Sequence, residues 1–244
     1  MGRLRYVPRT IATGVVAAAA TLLAALAALA VARVRPTSRL IERITDSWSR
    51  AWLWAAGVRF SVVGAENVDP HRSYVVVANH ASALDIMACF LALPIPIRFL
   101  AKRELFRIPL LASAMRAIGI VEVDRQARAP VHDQINLQAR GLMAAGRSVI
   151  IYPEGTRTRD GSLGAFKKGA FTIAVRSGWP VLPVTIHGSF AAWPPGSPFV
   201  RGGKITVAID PPLETEGLGQ GSTGELRDTV HAIIEKRLDQ LSQS

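Results

Sequence analysis

Short runs of β-branched and other apolar residues recur along the chain from residue 59 onward, at 59–63, 73–78, 97–101, 118–123, 148–152, 181–187 and 204–209. Each reads as a strand. Between them lie stretches with apolar residues at helical spacing: the run after Asp85, residues 104–117 with Pro109 interrupting the start, 131–145 closed by Gly146, 166–177 and 223–241. Strands alternating with helices predict an α/β fold with a mainly parallel central sheet flanked by helices. In such sheets the ligand crevice lies outside the carboxyl ends of the strands. The segment 214–224 is flexible by composition, and the chain has no internal repeat.

The pattern before residue 58 is different. Residues 10–32 form 23 positions without a charge, rich in Ala, Leu and Val and flanked by arginines on both sides. That length can cross the hydrocarbon core of a bilayer as a helix. A cleaved signal peptide competes, because Ala28-Leu29-Ala30 resembles a processing site. The apolar run exceeds the 7–15 residues usual for such peptides, which favours an uncleaved anchor. Arginines on both sides leave its orientation open. Residues 38–57 place Leu40, Ile44, Trp48, Trp52 and Ala55 at helical spacing, with charges elsewhere around the helix. Trp48, Trp52 and Trp54 suit a headgroup region, and a helix packed on the domain is the other reading. The expected organisation is therefore a helical membrane anchor at 1–57 followed by the α/β domain at 58–244.

Composition narrows the partners. Lys and Arg outnumber Asp and Glu by 29 to 18, a net charge of +11 in 244 residues, and 49% of residues are apolar. The apolar fraction is sufficient for a full core. The excess positive charge points to an anionic membrane surface or phosphorylated substrates. Nucleic acid is disfavoured because no basic run interleaves with aromatics. The single cysteine, Cys89, excludes an internal disulfide and a cysteine-cluster metal site, and its apolar helical context marks a core thiol.

Two stretches carry candidate chemistry. In VVVANHASALD (75–85), a buried strand delivers His80 to its end, and a helix follows at once. An imidazole there, with Asp85 five residues on, is a candidate general base with its orienting carboxylate. Ser82 and Asp85 also fit a capping box. Five residues of helix rotate by about 500°, so His80 and Asp85 meet only if His80 lies in the turn before the helix. The second stretch is YPEGTRT (152–158), in which a strand enters a turn followed by a hydroxyl and a guanidinium. Arg157 can bind a phosphate bidentately while Thr156 and backbone amides add donors, and Lys167 and Lys168 lie downstream. Taken alone, the first stretch is as readily a helix cap, and for the second a plain turn with a surface arginine is the favoured reading. GIVEVDR (119–125) ends a strand with Asp124 and Arg125 and is weak evidence by itself.

Together these stretches are similar to the glycerolipid acyltransferases. NHASALD matches the NHxxxxD motif of that family, and YPEGTRT resembles its FPEGTR motif. The order also agrees: NHxxxxD, a strand ending in DR, PEGTR, then the proline-bearing strand Val181-Leu182-Pro183-Val184. The resemblance runs from about residue 73 to residue 189, and AKRELF (101–106) brings it nearest to the bacterial 1-acyl-sn-glycerol-3-phosphate acyltransferases. Two departures stand out. Tyr152 replaces the usual Phe, and Glu122 stands where an apolar or aromatic residue is common.

The resemblance implies that His80 takes the proton from a lysophospholipid hydroxyl and that Asp85 orients the imidazole. It implies that Arg125, Glu154, Gly155, Thr156 and Arg157 form the substrate-binding loops, with Arg125, Thr156 and Arg157 on the phosphate. It further implies no bound cofactor and no metal, with acyl-CoA or acyl carrier protein as donor and lysophosphatidic acid as acceptor. The setting it implies is the cytoplasmic side of a bacterial membrane. No GxSxG, HExxH or Cys-His signature points elsewhere. The rival readings are a transacylase, an acyltransferase for another lyso-lipid such as a lyso-ornithine lipid, and a non-enzymatic protein that binds anionic lipid.

Overall fold

The computed structural model describes residues 4–35, 38–123 and 129–243. Two helices open the chain, α1 (Val7–Val34) and α2 (Arg39–Ala55). There follow β1 (Val58–Val63), β2 (Val75–Ala78), α3 (Leu84–Ala92), β3 (Ile97–Lys102), α4 (Pro109–Ile118), β4 (Val121–Val123) and α5 (Ala129–Ala144). The chain continues through β5 (Ser148–Ile151), α6 (Gly169–Ser177), β6 (Val181–His187), α7 (Ser189–Ala192), β7 (Gly203–Ile209) and α8 (Thr223–Ser242).

Among the described residues the strands form one seven-stranded sheet in the order β1-β7-β6-β2-β5-β3-β4. All pairings are parallel except β6 with β7, so the sheet is mainly parallel, as the strand–helix alternation predicts. Central β2 shows why the strand runs read as continuously apolar. Val76 and Ala78 pack toward α3, Val75 and Val77 pack toward α6 and α8, and all four are fully buried.

One expected helix is divided. Residues 103–107 make a 3-10 turn and α4 begins afresh at Pro109. The cause is local: the proline ring forces Ile108 into extended backbone, with φ −89° and ψ 107°. The helix expected at 166–177 starts only at Gly169, and the four-residue α7 carries no periodic signal strong enough to read.

The two N-terminal helices fold into an antiparallel hairpin that packs against the domain through α3 and α4. Thr13, Ala17, Ala25 and Ala28 form the buried stripe of α1, small enough to let α2 approach closely. Trp48 and Trp52 do not project outward as the headgroup reading expects. Both indole N–H groups donate to Thr21 Oγ1, at 3.0 and 3.3 Å, because their spacing puts them on the seam and a part-buried donor needs an acceptor. Trp54, on the opposite face, is exposed. A partly buried ion pair joins the hairpin to the sheet. Arg98 of β3, 1% exposed, donates to both carboxylate oxygens of Glu42 at 2.7 and 3.1 Å. Such a pair specifies docking more than it adds net stability.

Candidate active site

Strands β2 and β5 are neighbours in register, with Val77 opposite Ile151. Three residues beyond that pair stand His80 on one strand and Glu154 on the other, so sheet register alone brings the two motifs side by side. The peptide after β2 is pinned from both flanks. Asn79 mimics a strand pairing with β6, its amide donating to Ile186 O at 2.9 Å and its carbonyl accepting from Ile186 N at 2.7 Å. On the β5 side, His80 N donates to Glu154 Oε1 at 2.7 Å and Thr158 N donates to His80 O at 3.0 Å.

His80 lies in the turn before α3, the one placement in which it can meet Asp85. Its Nδ1 is 2.8 Å from Asp85 Oδ2. The same oxygen accepts from Ala81 N and Ser82 N, each at 2.7 Å. The carboxylate therefore closes the turn and holds the ring at once. With Nδ1–H donated to Asp85, the Nε2 lone pair has no partner among the described residues and is available as a base. The imidazole also stacks on Tyr152, with ring centroids 4.0 Å apart and planes 10° apart. Tyr152 stacks in turn on Phe99. The tyrosine hydroxyl, the departure from phenylalanine noted above, is satisfied by Cys89 Sγ at 3.8 Å. Burial raises the Cys89 thiol far above its ordinary range, which suits a core residue.

Residues 152–158 form the loop beside this pair. Gly155 has φ +75°, a conformation that favours glycine. A Cβ there would also stand 2.7 Å from Lys167 Nζ, so the lysine lies across the turn. Its place in the loop is a tertiary feature that spacing along the chain gives only as "downstream". Thr156 and Arg157 are exposed in the same turn. Glu154 is buried, and both of its oxygens are engaged by backbone amides, those of His80 and of Gly164 (3.0 Å). Burial raises its pKa, partly offset by those two hydrogen bonds. Arg125 lies outside the described residues. Glu122 is half-exposed between Arg103 and Arg116, at 3.7 and 3.4 Å, so its charge is compensated on the surface.

A cavity of about 310 Å³ runs between the hairpin and the domain, with an almost wholly apolar lining. Its walls include Ala28 and Trp48 from the hairpin and Phe90 and Ala114 from the domain. It reaches Ala83 in the loop between His80 and Asp85.

Residues 59–187 match the family model described as Acyltransferase. The 1-acyl-sn-glycerol-3-phosphate acyltransferase of Borreliella burgdorferi is 29% identical over 188 residues, covering 77% of this chain and 74% of that protein. The protein of the same name from Pseudomonas aeruginosa is 28% identical over 218 residues, covering 87% and 83%. In three dimensions the chain resembles the crystal structure of the 1-acyl-sn-glycerophosphate acyltransferase of Thermotoga maritima. The TM-score is 0.86 at 27% identity, over 100% of this chain and 99% of that one.

Proposed function

The chain belongs to the acyltransferase family, and from that premise we propose that it moves a fatty acyl group from a thioester to the free hydroxyl of a 1-acylglycerol 3-phosphate, giving phosphatidic acid. The observation that carries this reading is His80, held at Nδ1 by buried Asp85 with Nε2 left open, beside a cationic turn and an apolar cavity. His80 Nε2 takes the hydroxyl proton as the oxygen attacks the thioester carbonyl. The tetrahedral intermediate then expels the thiolate, which leaves as the thiol with the proton returned from the imidazolium. One C–O bond forms and one C–S bond breaks. Acyl-CoA or acyl carrier protein enters as donor substrate, and each protein role belongs to a side chain of this chain.

Arg157, Thr156 and Lys167 are assigned to the acceptor phosphate, with Arg125 completing the set proposed from the motif and Gly155 giving the turn its shape. Charge-assisted hydrogen bonds of this kind contribute about 1.5–3 kcal/mol. Arg157→Ala should therefore raise KM for lysophosphatidic acid about 10- to 100-fold and leave phosphate-free lyso-lipids little affected. The purified protein assayed against a panel of lyso-lipids, with CoA and acyl-carrier-protein donors, tests both the acceptor and the donor. Equal rates with phosphate-free acceptors would sink the phosphate assignment, and transfer from an intact phospholipid without a thioester would favour the transacylase reading.

The apolar cavity is proposed to take the acyl chain. Ala114→Phe fills part of it, and each CH₂ kept out of apolar surroundings costs about 0.8 kcal/mol, about fourfold. In competition assays with mixed donors, that variant should shift preference to shorter chains. An unchanged profile would remove the cavity from this role.

Residues 1–57 are proposed to seat the enzyme on a bilayer, with residues 58–244 carrying the chemistry. Support comes from the segment Leu4–Val34, with hydropathy 2.5, whose outward face exposes Ile11, Val15, Leu23 and Leu26. Because the hairpin also lines the cavity, membrane attachment and chain binding are parts of one structure.

A further inference from the structure

Two contacts hold the imidazole of His80 itself, the Asp85 carboxylate and the Tyr152 ring. A third acts on the backbone from which the ring projects. His80 lies beyond the end of β2, where the sheet no longer supplies a partner for its N–H. Glu154 supplies one, and its other oxygen accepts from Gly164 N. Gly164 is shaped to that carboxylate: a Cβ there would stand 2.9 Å from Oε2. One buried carboxylate thus ties the loop bearing the base to two points of the loop that follows β5.

We propose that Glu154 is a positioning residue for the general base, fixing the His80 backbone and supplying a second negative charge behind the imidazolium, and is not itself a ligand of the substrate. The proposal rests on His80 acting as the base. Each oxygen of the carboxylate already holds a main-chain amide, so the group is committed to the backbone of the two loops. Its charge is also coupled to that of His80, since a protonated imidazole lowers the Glu154 pKa against the rise that burial causes. Among the described residues, the groups around His80 are Asp85 from α3 and Tyr152 after β5 at the ring and Glu154 at the backbone, with Cys89 behind the tyrosine and Lys167 over Gly155. Removing the Glu154 charge disfavours the imidazolium that forms as the base takes its proton.

The decisive variant is Glu154→Gln in the full chain in detergent micelles, which keeps the shape and one acceptor but turns an NH₂ toward the second amide. Expected are a fall in kcat of about 10- to 100-fold, part of the roughly 10²–10⁴ that general-base assistance supplies, KM for the acceptor within about twofold, and His80 ring-nitrogen NMR signals displaced from their wild-type positions. Gly164→Ala should act in the same direction on kcat by pushing the carboxylate off its amides. A large rise in KM with kcat and the ring signals unmoved would make Glu154 a substrate ligand and overturn the proposal. Unchanged kcat and ring signals would overturn it equally. The NMR comparison needs no acyl transfer. If the wild-type protein fails to acylate lysophosphatidic acid but the ring signals still move in the variant, the acceptor reading falls and this one stands.

Discussion

Replacing His80 by alanine should lower acyl transfer from a thioester by about 10²–10⁴-fold, the range for a positioned general base. The remaining rate reflects what positioning of the two substrates supplies by itself. The loss should fall on kcat, because the ring sits behind the reacting hydroxyl and Arg157, Thr156 and Lys167 are untouched. The fold should survive, since Asp85 keeps its two amide partners Ala81 N and Ser82 N. Transfer that persists at the wild-type rate in purified membranes would show the assignment of the base to be wrong.

Asp85→Asn is the second large effect, and it differs in kind. A single oxygen, Oδ2, serves three groups: His80 Nδ1, Ala81 N and Ser82 N. Asparagine can present one carbonyl oxygen and must direct an NH₂ somewhere in a fully buried site. If the carbonyl keeps the two amides, the imidazole loses its acceptor and is free to adopt the wrong tautomer, a change that costs up to about 10⁴ in rate in comparable dyads. If the carbonyl keeps the ring, the amides lose theirs, at about 1–3 kcal/mol for each unsatisfied donor. Activity should therefore fall about 10²–10⁴-fold, with a lowered melting temperature, whereas His80→Ala should lower activity alone. Parallel kcat and thermal-melting measurements on both variants check this. An Asp85→Asn protein as active as wild type would leave the carboxylate only its role in closing the turn.

Much of this site was legible in the chain because its signals are local. Val75–Val77 announce a strand buried on both faces, and the turn needed for His80 to reach Asp85 follows from helix geometry. The PEGTR run declares a turn by its proline and glycine. Tyr152 was readable as a conservative change, but its stacking on the imidazole was not, since nothing in the sequence says which ring lies over which. Glu154 is the sharper case. Along the chain it is one residue of a loop associated with substrate. Register between β2 and β5 places it three residues past a strand pair, level with His80, where its carboxylate serves the backbone.

The amino-terminal hairpin divides along the same line. Its apolar length and the helical spacing of Trp48 and Trp52 belong to the sequence. That those indoles turn inward to Thr21, and that the hairpin forms one wall of the cavity, depends on packing against α3 and α4 and on the Arg98–Glu42 pair, whose partners are 56 residues apart. Periodicity, turn chemistry and motif order are properties of neighbouring residues, so by itself the sequence determined the strands, the parallel sheet, the candidate base and the cationic turn. The cavity, the lysine over Gly155 and the carboxylate behind His80 were decided by tertiary structure alone, because they depend on contacts between segments whose meeting is set by strand order and register.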